Sequence, residues 1–157
     1  VLKLRADQLR PEREEMQVGA ELIGSDSDAA ATEIVIAAIE ALQAAGVTGI
    51  TIDFTLPDLV DRLAAGPMPL DVDLIEPVRA RLDAKAAGGL AALGPQAAAY
   101  LPLIEATGPF HAAIARLETI DAGGVLASRI AALRAIAKPI DWDITLTLDP
   151  TERHGFE

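Results

Sequence analysis

Two segments far apart in the chain alternate between apolar and polar residues, and this alternation limits the possible folds more than any other feature. It covers residues 50–56 and residues 142–148. Successive side chains of a β-strand point to opposite faces, so each segment predicts a strand with one buried face and one polar face. The apolar positions are Ile50, Ile52, Phe54 and Leu56 in the first segment, and Trp142, Ile144, Leu146 and Leu148 in the second.

Helical patterns occupy most of the chain beside and between these two strands. Residues 28–45 carry apolar side chains at helical spacing, with Asp28 able to cap the start and Gly46 able to end the helix. Residues 122–137 predict a second long helix. Between 57 and 119, several short helical patterns are interrupted by glycine and proline. The chain is therefore predicted to have mixed α and β structure with a helical middle.

Residues 17–24 predict a further strand whose two faces differ in chemistry. Gln17, Gly19 and Glu21 share one face, and apolar residues share the other. The amide and the carboxylate can accept hydrogen bonds from the ammonium group of a small ligand, and Gly19 leaves room for its approach. The alternative is an ordinary strand whose polar side faces water.

The composition narrows the class of protein. The chain has 157 residues, of which 51% are hydrophobic and 24% charged, and no apolar run is long enough to span a bilayer. Its formal net charge of -11 argues against a broad nucleic-acid surface, because phosphate binding relies on Lys and Arg. The absence of cysteine excludes a disulfide framework within this chain and agrees with a cytoplasmic location.

Candidates for other chemistry are few. Asp53, Asp141, Asp143 and Asp149 could surround a cation, but carboxylates that alternate along strands are more typical of a solvated face, so no metal site is predicted. His111 is expected to be a surface or packing residue. Neither a phosphate-binding glycine loop nor a constellation for nucleophilic catalysis is found in the sequence.

Several stretches resemble class II aminoacyl-tRNA synthetases. Arg5 and the later segment 17–25, with the sequence QVGAELIGS, are similar to motif 2 of that superfamily. The segment matches the pattern Q-x-G-x-E-x-[IF]-G-S, which histidyl-tRNA synthetase shares with its non-synthetase paralogue, the regulatory subunit of ATP phosphoribosyltransferase. Residues 50–57 and 146–157 look more like the regulatory paralogue than the synthetase.

The resemblance implies a specific fold. This is an α+β fold with the antiparallel β-sheet of the class II synthetase core, flanking helices, and a helical insertion at about 57–119. Residues 1–157 are then interpreted as a partial core that is truncated at both ends, because the chain begins within an expected strand and stops within a motif that the family continues.

The resemblance also implies a histidine-binding site formed by Arg5, Gln17, Glu21 and His154. Gln17 and Glu21 match the family residues that hold the amino group of histidine, and Arg5 matches the motif 2 arginine. His154 stands where the synthetases have an arginine that stabilises charge during histidine activation. An imidazole cannot replace a permanently charged guanidinium in that role. Adenylate formation is therefore not expected, whereas histidine recognition is.

The function that the resemblance implies is regulatory. Such a subunit binds L-histidine and transmits feedback inhibition to a short catalytic subunit of ATP phosphoribosyltransferase, as a homodimer within a hetero-oligomer, without a cofactor, nucleic acid or membrane. One alternative is a histidyl-tRNA synthetase core that forms histidyl-adenylate. Another is a synthetase-like module that senses an amino acid in a different assembly. Position 154 distinguishes the regulatory subunit from the synthetase, because the synthetases have an arginine where this chain has His154.

Overall fold

The computed structural model describes residues 19–152. This part of the chain is mainly helical, with three strands, which confirms the predicted α+β class. The α-helices are α1 (Asp28–Ala44), α2 (Leu59–Ala64), α3 (Val72–Asp83), α4 (Ala87–Ala91), α5 (Pro95–Ala98), α6 (Phe110–Ile120) and α7 (Ala127–Ala137), and a 3-10 helix spans Leu101–Ala106. The strands are β1 (Thr51–Thr55), β2 (Gly108–Pro109) and β3 (Thr145–Asp149).

The three strands form one mixed sheet in the order β1-β3-β2. β1 and β3 are parallel, with Phe54 opposite Leu148, whereas the short β2 is antiparallel to β3. The expected antiparallel sheet is therefore not what the described residues form. The long helical connection between β1 and β3 permits the parallel arrangement, which a short turn could not.

The helical middle of the chain contributes directly to the core. Leu63, Val78, Leu90 and Leu103 come from four different helical segments and are fully buried in the same hydrophobic core as the apolar residues of β1 and β3. Residues 57–119 are mainly helical, as predicted, but they also contain the short strand β2, and their status as an insertion stays a prediction. None of the helices formed by residues 19–152 has the length and apolar character that a membrane span requires.

The first helix has well-defined ends. Ser27, rather than the expected Asp28, is the N-cap, because its side-chain oxygen accepts a hydrogen bond from Ala30 N at 3.2 Å. At the other end, Gly46 has φ of +81°, and Val47 N donates to Leu42 O at 3.0 Å. This is a Schellman motif, which favours glycine because of the left-handed backbone. The prediction that Gly46 ends the helix is confirmed.

Two strand predictions are corrected. Trp142 was expected on the buried face of its strand, but β3 begins only at Thr145, and the Trp142 side chain lies in the preceding turn, 96% exposed. In the predicted strand 17–24, the described residues 19–24 have no regular secondary structure and are exposed. A strand requires a partner for its backbone groups, and none of the three described strands pairs with this segment.

Candidate functional site

Only one of the four predicted histidine-binding residues is described by the structure. Glu21 lies in the irregular segment before α1 and its side chain is exposed. Arg5, Gln17 and His154 lie outside the described residues. The pairing of Glu21 with Gln17 across Gly19 therefore stays a prediction.

The described sheet has a polar side that bears chemical groups suited to ligand binding. We define the polar sheet face as the side opposite the core, where β1 and β3 bring hydroxyl and carboxylate side chains into register. Asp53 lies opposite Thr147, and Thr147 Oγ1 donates to Asp53 Oδ1 at 2.7 Å. Its members are exposed or half-buried, and they are Thr51, Asp53, Thr55, Thr145, Thr147 and Asp149.

A side-chain cluster closes one end of the polar sheet face. Lys85, in the loop between α3 and α4, places its Nζ 2.6 Å from Asp149 Oδ1 and 2.5 Å from Thr151 Oγ1. Thr151 donates to the same carboxylate oxygen from its backbone N at 3.1 Å, and Thr107 Oγ1 approaches it at 3.3 Å. The cluster thus joins three parts of the chain at the carboxyl end of β3.

Electrostatics keep the Asp149 carboxylate ionised. Its burial raises the pKa, but the hydrogen bonds from Lys85 and from the backbone and side chain of Thr151 outweigh the burial, so that the pKa lies below its usual value.

The Lys85 backbone is also unusual, since its φ of 51° lies in the left-handed region that residues other than glycine rarely adopt. The left-handed residue ends α3 in a Schellman motif, in which Ala86 N donates to Arg81 O at 2.8 Å.

A second polar site lies in a cleft of about 470 Å³ between the start of α1, the end of β1 and α7. Asp58 Oδ2 accepts hydrogen bonds from Arg62 Nε at 2.6 Å and from Arg129 Nη2 at 2.7 Å. Burial raises the pKa of Asp58, but the two guanidinium groups outweigh this effect, so that its pKa also lies below the usual value. Asp26 and Asp28 line the same cleft and give it acidic character.

The cleft combines this charge with an apolar floor. Leu56, Leu133 and Ile136 line it together with the acidic side chains of Asp26 and Asp28. Such a surface suits a small ligand that carries an ammonium group on a partly apolar body. The first residues that line the cleft, Asp26 and Asp28, follow shortly after Glu21 in the sequence.

Sequence reasoning did not find Lys85 or Arg129. Both bind carboxylates that are distant in sequence, since Lys85 lies 64 residues from Asp149 and Arg129 lies 71 residues from Asp58. The only local sign of a role for Lys85 was its position as a lone lysine within an alanine-rich stretch. In contrast, His111 is exposed on the first turn of α6, in edge-on contact with Phe110, as the prediction of a surface or packing residue requires.

The acidic residues that were considered for a cation do not form one cluster in the described part of the chain. Asp53 and Asp149 lie on the polar sheet face, whereas Asp141 and Asp143 lie in the turn before β3. Among residues 19–152, no group of three histidine or acidic side chains is arranged to hold a metal ion.

Comparison with protein-family models shows the family to which the chain belongs. The family model described as Histidyl-tRNA synthetase matches residues 1–157. The chain belongs to the histidyl-tRNA synthetase family. Membership of this family, with its class II type of domain, agrees with the resemblance of the 17–25 segment to motif 2.

Curated relatives within the family carry a regulatory name. Those from Paramagnetospirillum magneticum and Rhodospirillum rubrum, named ATP phosphoribosyltransferase regulatory subunit, are 39% and 37% identical over the whole chain. The relative of the same name from Rhodospirillum centenum is 36% identical over the whole chain. The chain spans 42% of the length of each of these three relatives. No solved structure matches the chain significantly.

Proposed function

We propose that this chain is part of the regulatory subunit of ATP phosphoribosyltransferase and acts in histidine biosynthesis. The observation that carries the proposal is the similarity of the whole chain to relatives with that name, at identities of up to 39% among those compared. In this proposal the protein binds L-histidine and transmits feedback inhibition to a short catalytic subunit. It is cytoplasmic and forms a homodimer within the hetero-oligomer.

The proposed histidine site consists of Arg5, Gln17, Glu21 and His154. The exposure of Glu21 supports this assignment, because its carboxylate is accessible to a ligand's ammonium group. The chain reaches His154 three residues after Thr151, which the Lys85 cluster holds against Asp149. The polar sheet face supplies further hydroxyl groups for a polar ligand.

The proposed subunit is not itself catalytic. Histidine at position 154 supports this view, because the synthetases of the family carry an arginine there. A guanidinium stays charged at all relevant pH values and offers five donors to developing phosphoryl charge, whereas an imidazole offers at most two. The chemistry therefore belongs to the partner, and the coupling between the histidine site and the partner is a linkage between two sites.

Co-expression of the full-length parent with a short catalytic subunit of ATP phosphoribosyltransferase tests the proposal. We expect one common peak on gel filtration, a higher turnover than that of the catalytic subunit alone, and inhibition of the complex by histidine. Two separate peaks together with unchanged turnover on mixing would contradict the proposal.

A second candidate function is that of a histidyl-tRNA synthetase core, which the description of the matching family model favours. It predicts histidine-dependent exchange of pyrophosphate into ATP. The regulatory proposal predicts exchange no greater than that of a blank without protein. Because the two proposals predict opposite results, one exchange assay with the full-length parent separates them.

A further inference from the structure

The outer surface of α1 has an unusual composition for a helix that faces water. Ile39 is the buried residue of this helix, and Val35 and Ile36 pack partly buried against the core. With 3.6 residues per turn, a second set of apolar residues points away from Ile39. We define the α1 outer face by these residues, which are exposed or half-buried: Ala30, Ile34, Ala37, Ala38, Ala41 and Ala45.

Larger apolar side chains extend this surface. Six large hydrophobic residues are exposed within residues 19–152, and four of them, Leu22, Ile23, Leu42 and Val47, lie in α1 or in the segments that flank it. Leu22 and Ile34 also line a shared groove of about 380 Å³ along the first turns of the helix. Contiguous apolar surface of this kind marks an interaction site more often than it marks a solvated helix.

The charged residues of α1 and of the segments that flank it have one sign. Residues 19–49 contain five acidic residues and neither lysine nor arginine, although the whole chain has 13 basic residues. All five are exposed, and Glu33 and Glu40 lie along one edge of the α1 outer face. The five residues are Glu21, Asp26, Asp28, Glu33 and Glu40.

We infer that the α1 outer face is the docking surface for an apolar segment of the catalytic partner that is rich in lysine or arginine. Apolar side chains of the segment would cover Ile34 and the alanines, and its cations would meet the carboxylates of Glu33 and Glu40. The 17-residue helix is roughly 25 Å long, enough for a partner helix of several turns. This inference rests on the proposed function, because it takes the catalytic subunit as the partner.

The same charges disfavour a contact between two copies of this chain through the α1 outer face. In a symmetric pair the same patch faces itself, so the carboxylates of Glu33 and Glu40 would approach their own copies, and residues 19–49 offer no lysine or arginine to separate them. Like charges in an interface oppose association. A basic partner relieves this repulsion instead.

Binding of the catalytic subunit to variants of the full-length parent tests the inference. Ala38→Arg adds bulk and positive charge to the α1 outer face, and Glu40→Lys reverses a charge at its edge. Ala131→Arg on the exposed side of α7 and Glu105→Lys on the 3-10 helix are the matched controls, since both residues are exposed. Thermal unfolding of each variant shows whether it is folded.

We expect each α1 variant to raise the dissociation constant at least tenfold at low salt. Added salt should change the affinity of Glu40→Lys less than it changes that of the wild type. The controls should stay within twofold of the wild type. Wild-type affinity in both folded α1 variants would overturn the inference and leave the proposed function intact. Failure of the wild type to bind would overturn both. If the α1 variants bind the partner as the wild type does but form a smaller assembly when they are alone, the α1 outer face mediates contacts between copies. That result would also overturn the inference.

Discussion

Lys85 Nζ lies 2.6 Å from Asp149 Oδ1, and this contact ties the loop after α3 to the carboxyl end of β3. The two side chains are 33% and 15% exposed, so the pair is shielded from water more than a typical surface ion pair. The contact links the helical middle to the end of the sheet from which the chain continues toward His154.

Removal of the Lys85 ammonium group should destabilise the fold. Lys85→Met should lower the free energy of unfolding by about 1–2 kcal/mol, because the Asp149 carboxylate loses a charged hydrogen-bond donor in a partly buried site. Urea unfolding of the variant and the wild type measures the difference. Lys138→Met, at an exposed position after α7, is the control and should be neutral. Equal stability of all three proteins would show that the ion pair contributes nothing.

Acid should weaken the fold through Asp149. Its pKa in the folded protein lies below its usual value, so its contribution to stability is complete above about pH 4 and is lost as the pH falls through the folded-state pKa. Asp149→Asn should be less stable than the wild type at pH 7 and should lose less stability between pH 5 and pH 2. Urea unfolding across this pH range provides the measurement. Parallel curves for the two proteins would contradict the prediction.

Alkali should weaken the fold through Tyr100. This side chain is fully buried, its hydroxyl donates to Met68 O at 2.6 Å, and burial raises the pKa of Tyr100 to about 12. An unfolded tyrosine ionises near pH 10, so stability is complete below pH 10 and is lost as the pH rises toward 12.

The variant Tyr100→Phe tests this statement. It should cost about 1 kcal/mol at pH 7, because the Met68 carbonyl loses its donor, and it should lack the tyrosine-dependent loss of stability above pH 10. Thermal unfolding between pH 8 and pH 11 compares the two proteins. A wild type whose stability falls no faster than that of the variant would rule out the proposed effect of Tyr100.

Asp121 stabilises the start of α7. This buried carboxylate accepts hydrogen bonds from Val125 N at 3.0 Å and from Leu126 N at 2.7 Å. Asp121→Ala leaves both N–H groups without this acceptor and should destabilise the protein by about 1–2 kcal/mol. Asp121→Asn keeps an oxygen acceptor and should lose less. Calorimetric melting ranks the three proteins, and an alanine variant as stable as the wild type would refute a stabilising role of these two hydrogen bonds.

Glu21 should determine histidine affinity in the full-length parent. Glu21→Ala removes a charged acceptor for the ligand's ammonium group and should weaken binding by about 1.5–3 kcal/mol, roughly ten- to a hundredfold. Glu105→Ala, an exposed residue elsewhere on the surface, should bind as the wild type does. Isothermal titration with histidine measures all three. Unchanged affinity in Glu21→Ala would remove Glu21 from the histidine site.

The sequence alone determined the parts of this protein that depend on local pattern. The alternation along residues 50–56 predicted β1, the apolar spacing and Gly46 predicted the extent of α1, and the 17–25 motif indicated the family that the chain was then found to match. These signals suffice because side-chain periodicity, glycine conformation and a short motif are properties of neighbouring residues.

The tertiary structure decided what depends on residues far apart in the chain. It set β1 parallel to β3 and joined Lys85 to Asp149 across 64 positions. It also left the α1 outer face and Trp142 exposed, although their apolar character alone would predict burial. Hydrophobic pattern tells which residues can be buried, but the packing of distant elements decides which of them are covered and which charges meet.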